Sequence, residues 1–370
     1  MHPKIAFSED VGLTMARNEL QRWYLEHERP LPWREQPAPY GTWLCEVIMQ
    51  QTRIDQGTAY WERFMHRWPN FQSLADASVD EVLKEWQGLG YYSRARNLHK
   101  TAQIICDEYP QGHPTELNQW LALPGVGAYT AAAICSICFG TPVAAVDGNV
   151  LRVLSRFLGI HEPIDRPSGR KPLEAFAEAW VDPKHPGRHN QALMELGALI
   201  CTPHAPDCAH CPLQKECTSS FMPHKKGSMP PFKQGKTKVQ DVALHFHVIH
   251  QNGRILMQQR PDHGIWGGLW TFPSSEAPWE GSINNDVIPE PLDQCLIARG
   301  PCGTSVKHLL SHRRFHVQFW LWSCPEDCTL EMGEWHRWDS AELLALPRVL
   351  ESSWEDVKNS ASQKESKTNA

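Results

Sequence analysis

The sequence lacks an apolar run of the roughly 18 residues that a membrane-spanning helix requires. The longest candidate, residues 130–146, is interrupted by Gly140 and Pro142. The first 13 residues contain no continuous apolar core ahead of a small-residue cleavage site, so we expect neither a membrane anchor nor secretion. A cytoplasmic location is therefore predicted, and the twelve cysteines are expected to be reduced thiols or metal ligands.

The sequence also lacks a surplus of basic residues, since 36 Lys and Arg face 42 Asp and Glu for a formal net charge of -6. This average hides the distribution of charge along the chain. Residues 220–240 hold five lysines and no acidic residue, together with three prolines and two glycines. Such a segment is typical of a linker. Because 370 residues exceed one ordinary hydrophobic core, we expect two domains, one on each side of it.

Apolar residues recur with different periods on the two sides of this segment. Before it they follow helical spacing, which predicts an all-helical domain over residues 1–220. After the linker, placed at 221–238, residues 242–249 and 315–321 alternate as in strands, and Asn252-Gly253 suits a tight hairpin. An α+β domain is predicted over 239–354, and the polar residues 355–370 are predicted to be a disordered tail.

Four cysteines lie within seventeen residues just before the linker, at Cys201, Cys208, Cys211 and Cys217. Four soft ligands this close together indicate a metal site. The paired spacing usual for zinc ribbons is missing, whereas an iron–sulfur cubane accepts less regular spacing. The pattern therefore favours a cluster over zinc, and four unrelated buried thiols are the remaining alternative.

Two further motifs indicate a site in the helical domain. Gly125-Val126-Gly127 precedes a helical pattern, so its backbone could turn sharply and present helix N-terminal amides to a phosphate. A plain turn between helices is the alternative for this segment. Asp147 lies between apolar residues at the predicted start of another helix, where a buried carboxylate is costly unless it acts in chemistry or caps the helix.

Together, the cysteine pattern, the hairpin and the segment around Asp147 resemble the endonuclease III superfamily of helix-hairpin-helix DNA glycosylases with a 4Fe-4S cluster. Residues 31–34, 43–52 and 88–94 are similar to the adenine DNA glycosylase (MutY) family within it. Residues 239 to about 350 resemble the Nudix (MutT-like) domain of the same family. The resemblance implies a multidomain chain, with an all-α glycosylase domain and its cluster loop followed by an α+β Nudix-like domain.

The resemblance implies base excision repair on double-stranded DNA by a monomer, which in a bacterium would be nucleoid-associated. The implied reaction is hydrolysis of the N-glycosidic bond of adenine mispaired with 8-oxoguanine or guanine. Glu46 is implied as the general acid, because its apolar surroundings would keep its carboxyl protonated; a surface helix acid is the alternative. Asp147 is expected to stay ionised and to stabilise the oxocarbenium-like sugar or trap it covalently.

The resemblance also assigns the other pocket residues. Bifunctional relatives carry a lysine where this chain has Tyr129, so no Schiff base can form there and strong lyase activity is not expected; core packing is the alternative for Tyr129. Asn149 is expected to orient Asp147 or the attacking water. The remaining implied contacts with the substrate are Trp33 and Arg34 facing the extruded adenine, Glu195 in the pocket, Gln51 and Tyr91 as wedges in the DNA stack, and Ser311 and His312 reading the lesion.

The Nudix-like part departs from the hydrolases of that fold. The residues after Pro273 lack the acidic helix that holds magnesium, so recognition without hydrolysis is expected. Leu310 also replaces the phenylalanine of the family's reading loop. Three alternatives stay open: a DNA-binding redox or structural protein without catalysis, a Nudix hydrolase with an added helical domain, and a thymine or pyrimidine glycosylase/lyase.

Overall fold

The computed structural model describes residues 11–109, 112–223, 228–235, 239–282, 295–330 and 332–368. The chain divides into two compact units. Unit 1 comprises residues 1–76 and 97–236, and unit 2 comprises residues 77–96 and 237–370. Within the described ranges, none of the helices combines the length and the apolar character that crossing a membrane would need.

The described helices, in chain order, are α1 (Val11–His27), α2 (Pro32–Glu35), α3 (Pro39–Ile48), α4 (Ile54–Arg67), α5 (Phe71–Ala75), α6 (Val79–Glu85), α7 (Ser93–Glu108), α8 (Leu117–Leu121), α9 (Ala128–Phe139), α10 (Gly148–Phe157), α11 (Pro167–Trp180), α12 (Pro186–Leu199), α13 (Trp338–Ala341) and α14 (Arg348–Thr368). The described strands are β1 (Gln240–Gln251), β2 (Arg254–Gln259), β3 (Trp270–Thr271), β4 (Ser274–Pro278), β5 (Ile297–Pro301), β6 (Val306–Leu309), β7 (Arg313–Ser323) and β8 (Glu334–Arg337).

The main core of unit 1 forms where α1, α10, α11 and α12 pack together. Helix α10 is strongly amphipathic, with Val150, Val153, Leu154 and Phe157 buried along one face. It runs close to α12, because a Cβ atom on Gly197 would lie only 2.7 Å from the Cβ atom of Asn149. Glycine at this position therefore lets the start of α10, which carries Asp147 at its N-cap, approach α12.

Helix α9 packs against both α3 and α12. Its residues Ala131, Ala132 and Ala133 are almost fully buried, and their small side chains allow this close packing. The first turn of α9 consequently faces α3, which carries Glu46. The helix begins at its N-cap, Gly127, which has no side chain that could accept a hydrogen bond from the first amides of the helix.

Unit 2 contains a mixed eight-stranded sheet with the order β3-β2-β1-β7-β5, to which β4, β6 and β8 add by pairing with β1, β7 and β2. The long strands β1 and β7 pair in parallel from Gln240 opposite Arg313 to His250 opposite Ser323. Alternate residues of both strands face one core, which Leu350, Trp354 and Val357 of α14 complete. The turn at Asn252-Gly253 joins β1 to β2 as expected, with left-handed backbone at both residues.

The structure differs from the sequence predictions in three places. The tail predicted from residue 355 is helical as far as Thr368, because Val357 and Ala361 are buried in the core of unit 2. Residues 77–96 group with unit 2 although they were assigned to the first domain, because their long-range partners lie after residue 237. Cys295 and Cys328 form a disulfide, since β5 pairs antiparallel with β7 and brings their flanking residues together.

Hydrogen bonds hold the described residues 228–235 of the predicted linker against unit 1. The carbonyl of Pro230 accepts a hydrogen bond from Arg156 Nε at 2.7 Å. The amide of Ile164 donates to the carbonyl of Phe232, and the Asp165 carboxylate accepts from the amide of Gln234. Residues 228–235 therefore belong structurally to unit 1, and residues 224–227 and 236–238 lie outside the described ranges.

Candidate active site and cysteine loop

Glu46 lies on α3 beside a small cavity of unit 1. Burial raises the pKa of its carboxyl from 4.5 to about 7, and the nearby charge of Asp147 raises it further, whereas a hydrogen bond with the Tyr129 hydroxyl opposes the rise. The Tyr129 hydroxyl also lies 3.2 Å from the Met194 sulfur. The cavity, about 50 Å³ in volume, is lined by Trp33, Arg34, Thr42, Cys45, Glu46, Ile137, Gln191 and Met194.

Asp147 is the N-cap of α10, so the capping role considered from the sequence is present. Its Oδ1 accepts from the amide of Val150 at 2.7 Å, and its Oδ2 accepts from Asn149 Nδ2 at 2.9 Å. Burial raises the pKa of Asp147, and these hydrogen bonds oppose that rise because they stabilise the carboxylate. The two partly buried carboxyl groups thus have different partners: Glu46 meets one hydroxyl, whereas Asp147 meets a helix amide and a side-chain amide.

Glu195 forms a buried ion pair with two arginines. Its carboxylate is 2.7 Å from both Nε and NH2 of Arg29 and 2.9 Å from NH2 of Arg34, and its side chain is only 1% exposed. These donors lower the pKa of Glu195 to about 2 despite its burial. Glu195 therefore holds Arg34 at the cavity beside Glu46, and its two oxygens are already engaged.

A chain of polar contacts leads along α10 from Asp147 to the cysteine loop. Asn149 Oδ1 accepts from Arg152 NH2 at 2.8 Å, and Arg152 Nε donates to the carbonyl of Cys201 at 2.8 Å. One helical turn further, Arg156 donates to the carbonyl of Thr202 and lies 3.3 Å from the Cys201 sulfur. Helix α10 therefore connects the carboxylate site with the start of the cysteine loop.

The four loop cysteines line one cavity together with Arg156 and apolar side chains. Cys201, Cys211 and Cys217 pack against the main core of unit 1. Burial raises the pKa of Cys211 and Cys217, and the neighbouring cysteines raise it further, so thiolates there require a compensating cation. No group of three or more His, Cys, Asp or Glu side chains in the described ranges is arranged to hold a single metal ion. The donor set, four partly buried cysteines around one cavity, fits an iron–sulfur cluster.

The hairpin and the first predicted wedge residue are on turns of unit 1. Gly125 has a φ of 73°, and a Cβ atom there would lie 2.8 Å from the Cβ atom of Asn97, so both conformation and space require glycine. Val126 is buried, whereas Gly127 is exposed at the start of α9. Gln51 is exposed and has a φ of 58°, a conformation that is uncommon for a residue with a side chain.

The remaining predicted residues border a larger cavity in unit 2, of about 540 Å³. Tyr91, Ser311 and His312 all line it, and the Ser311 hydroxyl lies 3.1 Å from His312 Nδ1. Leu310 packs against the core of unit 2, whereas Leu309 is 65% exposed. After Pro273 the chain forms strand β4, so within the described residues 274–282 no acidic helix follows.

Sequence reasoning missed Arg29, Arg152 and Arg156. Arg29 carries no local signal, because its partner Glu195 is 166 residues away along the chain. Arg152 and Arg156 are spaced four residues apart and follow Asn149 by three and seven, so helical spacing could have shown that all three lie on one face of α10.

Family models match both units of this fold. Residues 44–181 match the model described as HhH-GPD superfamily base excision DNA repair protein. Residues 245–356 match the model of the Nudix domain. A solved structure of a thermostable thymine-DNA glycosylase is 26% identical, has a TM-score of 0.51, and aligns over 56% of this chain and 96% of its own. The fold and its helical site thus define a helix-hairpin-helix base excision repair protein with a Nudix-like domain.

Curated relatives narrow this class. The adenine DNA glycosylase of Mus musculus is 36% identical, over 91% of this chain and 76% of its own length. That of Buchnera aphidicola from Acyrthosiphon pisum is 31% identical, over 91% of this chain and 95% of its own. That of Homo sapiens is 35% identical over 75% of this chain. The chain belongs to the adenine DNA glycosylase family.

Proposed function

We propose that this chain is a monofunctional adenine DNA glycosylase of base excision repair, acting on adenine opposite 8-oxoguanine or guanine in duplex DNA. The observation that carries the proposal is the pair of partly buried carboxyls, Glu46 and Asp147, which interact but have unlike partners. Glycosidic cleavage requires one proton donor and one stabilising anion. A protonated Glu46 and an ionised Asp147 meet these two requirements.

Glu46 supplies the proton to the leaving adenine. With a pKa of about 7 it is substantially protonated at neutral pH and is still acidic enough to donate. Arg34 and Trp33 line the same cavity and would contact the base, while Glu195 fixes the Arg34 guanidinium. The cavity has room only for a few water molecules, so adenine enters as the lining side chains move apart.

Asp147 stabilises the positive charge that develops on the sugar as the base leaves. The amide of Val150 and the side chain of Asn149 hold its carboxylate at fixed positions, so little reorganisation is needed during the reaction. Asn149 is in turn held by Arg152. A water molecule then attacks the sugar and completes the hydrolysis. Because Tyr129 provides no amine, no Schiff base forms and the DNA strand is left intact.

The protein reaches this bond by extruding the adenosine from the duplex. Gln51 and Tyr91 fill the gap in the stack, and the backbone of Gly125, Val126 and Gly127 binds a phosphate with the N-terminal amides of α9. Left-handed backbone at Gln51 and at Tyr91 supports these roles, because strained residues concentrate at functional sites.

Cys201, Cys208, Cys211 and Cys217 would hold a 4Fe-4S cluster, which would stabilise the fold of the loop and supply no chemistry to base release. Unit 2 recognises 8-oxoguanine through Ser311 and His312. It is not expected to hydrolyse nucleotides, because the sequence after Pro273 lacks the acidic motif with which Nudix hydrolases hold magnesium. The protein acts as a cytoplasmic monomer, associated with the nucleoid in a bacterium.

A labelled duplex with adenine opposite 8-oxoguanine tests the proposal. The protein should create an abasic site, and the strand should break only after heat or alkali. Borohydride added during turnover should trap no lysine-linked adduct. Strand cleavage without alkali, together with a trapped adduct, would contradict the monofunctional assignment and favour the lyase alternative.

A further inference from the structure

We propose that unit 2 holds the Tyr91 wedge in its working conformation, through Lys84, Tyr92 and Arg96 acting as positioning residues. This inference rests on the wedge function proposed for Tyr91. Residues 77–96 group with the Nudix-like residues in unit 2 although about 140 residues separate the two segments in sequence. Unit 2 would then serve adenine extrusion itself, in addition to reading the opposite base.

The loop that carries Tyr91 has a left-handed backbone, and this conformation is costly at Tyr91, the one of its left-handed residues that is not glycine. Gly88, Gly90 and Tyr91 have φ angles of 96°, 70° and 48°, so three residues within four are left-handed. Such a conformation persists at a residue with a side chain only where the surroundings impose it. The Tyr91 side chain is 50% exposed, so its own burial supplies little of that restraint.

Part of the restraint comes from inside the segment. Trp86 is fully buried, and its Nε1 donates to the carbonyl of Gly90 at 3.1 Å. Arg94 NH2 donates to the carbonyls of Leu89 and Gly90 at 3.2 and 3.3 Å, and the Arg94 guanidinium stacks over the Trp86 ring. These contacts lie within residues 86–94, so they fix the shape of the loop but do not attach it to the Nudix-like part of unit 2.

The anchors are contacts with the Nudix-like part of unit 2 on both flanks of the loop. Before the loop, Lys84 Nζ donates to the carbonyls of Glu342 and Leu344 at 2.9 and 3.1 Å. After it, Arg96 donates to the carbonyl of Asp262 at 2.9 Å and to the carbonyl of Gly267.

The turn that offers these carbonyls to Arg96 is itself tightly built. A Cβ atom on Gly267 would lie 2.8 Å from backbone atoms of Asp262, so only glycine fits there. Gly268 has a φ of 75°, and a Cβ atom there would contact Leu83 and Arg96. The turn is thus shaped to the segment that carries the loop.

Tyr92 connects the two kinds of restraint at the centre of the loop. Its hydroxyl accepts from the amide of Gly88 at 3.4 Å and donates to the carbonyl of Leu346 at 3.4 Å. The side chain is only 6% exposed. One buried oxygen therefore ties the start of the loop to the segment between α13 and α14, next to the wedge residue.

This anchoring makes a prediction that lesion reading does not. Ser311 and His312 would act only when 8-oxoguanine lies opposite the adenine. The anchors act on the wedge, so loosening them should slow extrusion equally for adenine opposite 8-oxoguanine and adenine opposite guanine.

The test uses the full chain and the variants Tyr92→Phe and Lys84→Ala. Tyr40→Phe is the matched control, because the Tyr40 hydroxyl is also buried and also donates to a backbone carbonyl, that of Trp68, but in unit 1. Stopped-flow fluorescence of 2-aminopurine placed at the adenine position reports extrusion. Single-turnover release of adenine is measured for both mispairs and for adenine opposite an abasic site, where base stacking in the opposite strand is already interrupted.

Tyr92→Phe and Lys84→Ala each remove two hydrogen bonds, so each should slow extrusion about five-fold or more for both mispairs. Both variants should release adenine opposite the abasic site at the parent rate. Tyr40→Phe should keep the parent rate on all three substrates. A merely structural defect would slow all three substrates.

A further variant, Tyr91→Ala, distinguishes a failure of the wedge function from a failure of the positioning proposal. If Tyr91→Ala extrudes adenine at the parent rate, the wedge function fails and the positioning proposal fails with it. If Tyr91→Ala is slow while Tyr92→Phe and Lys84→Ala match the parent, only the positioning proposal is overturned. The positioning proposal would also be overturned if Tyr92→Phe and Lys84→Ala slowed adenine release only for the 8-oxoguanine mispair. It would likewise fail if they slowed release equally for the abasic-site substrate.

Discussion

Replacing Glu46 by glutamine should stabilise the protein at alkaline pH while removing its proton donor. Burial raises the pKa of Glu46 from 4.5 to about 7 in the folded protein. The unfolded chain therefore releases this proton from about pH 4.5 upward, whereas the folded protein keeps it until about pH 7. Stability is lost as pH rises between these values, and glutamine removes the loss because it carries no proton to release.

The size of the effect follows from the two pKa values. Each tenfold change in acidity corresponds to about 1.4 kcal/mol, which gives a penalty of about 3 kcal/mol at pH 8 and about 1 kcal/mol at pH 5. The gain from Glu46→Gln at pH 8 should thus exceed the gain at pH 5 by about 2 kcal/mol. For a unit of this size that difference corresponds to about 4–8 °C in the unfolding temperature.

Thermal unfolding of the parent protein and of Glu46→Gln at pH 5 and pH 8 measures this difference. Glu35→Gln is the control, because it makes the same substitution at an exposed carboxyl on the neighbouring helix α2. A change in unfolding temperature for Glu46→Gln that is no more favourable at pH 8 than at pH 5 would refute the raised pKa. The general-acid assignment would lose its physical basis with it.

Three other substitutions test separate contacts of unit 1. Glu195→Gln should destabilise the protein by about 2–3 kcal/mol at pH 7, because Arg29 and Arg34 lose their shared anion. In urea unfolding, this loss of stability should become smaller as pH falls from 4.5 toward 2. An equal loss at every pH would contradict the low pKa of Glu195. Asn149→Ala should slow single-turnover adenine release about tenfold or more by freeing the Asp147 carboxylate, and an unchanged rate would exclude that positioning role. Cys208→Ser should lower the iron and sulfide content and weaken DNA binding, so a fully loaded variant would contradict the ligand assignment.

The sequence motifs locate the site in unit 1 because its chemistry is carried by local patterns. The apolar run around Glu46, the acid before an amphipathic helix at Asp147 and the hairpin before α9 each occupy a few consecutive residues. The family models confirm the helix-hairpin-helix domain that these motifs predict and the Nudix domain that the resemblance of residues 239 to about 350 implies. The roles of the individual site residues stay predictions, which the substitutions above address.

Contacts between distant segments could not be predicted in the same way. Arg29 and Glu195 are brought together only by the packing of α1 against α12, and no short pattern records that pairing. Residues 77–96 look like a continuation of the helical domain in composition, but their hydrogen-bond partners lie in the turn at 262–267 and at 342–346. The polar tail was misassigned because, among its described side chains, only Val357 and Ala361 are buried in the core of unit 2.

The release of free bases from defined duplexes tests the central claim most directly. The parent protein should release adenine from duplexes with adenine opposite 8-oxoguanine and opposite guanine, and no thymine from a thymine–guanine mispair. Asp147→Asn and Glu46→Gln should still bind the first duplex but release no adenine in a single turnover. Release of thymine by the parent protein, or adenine release by Asp147→Asn at the parent rate, would contradict the account.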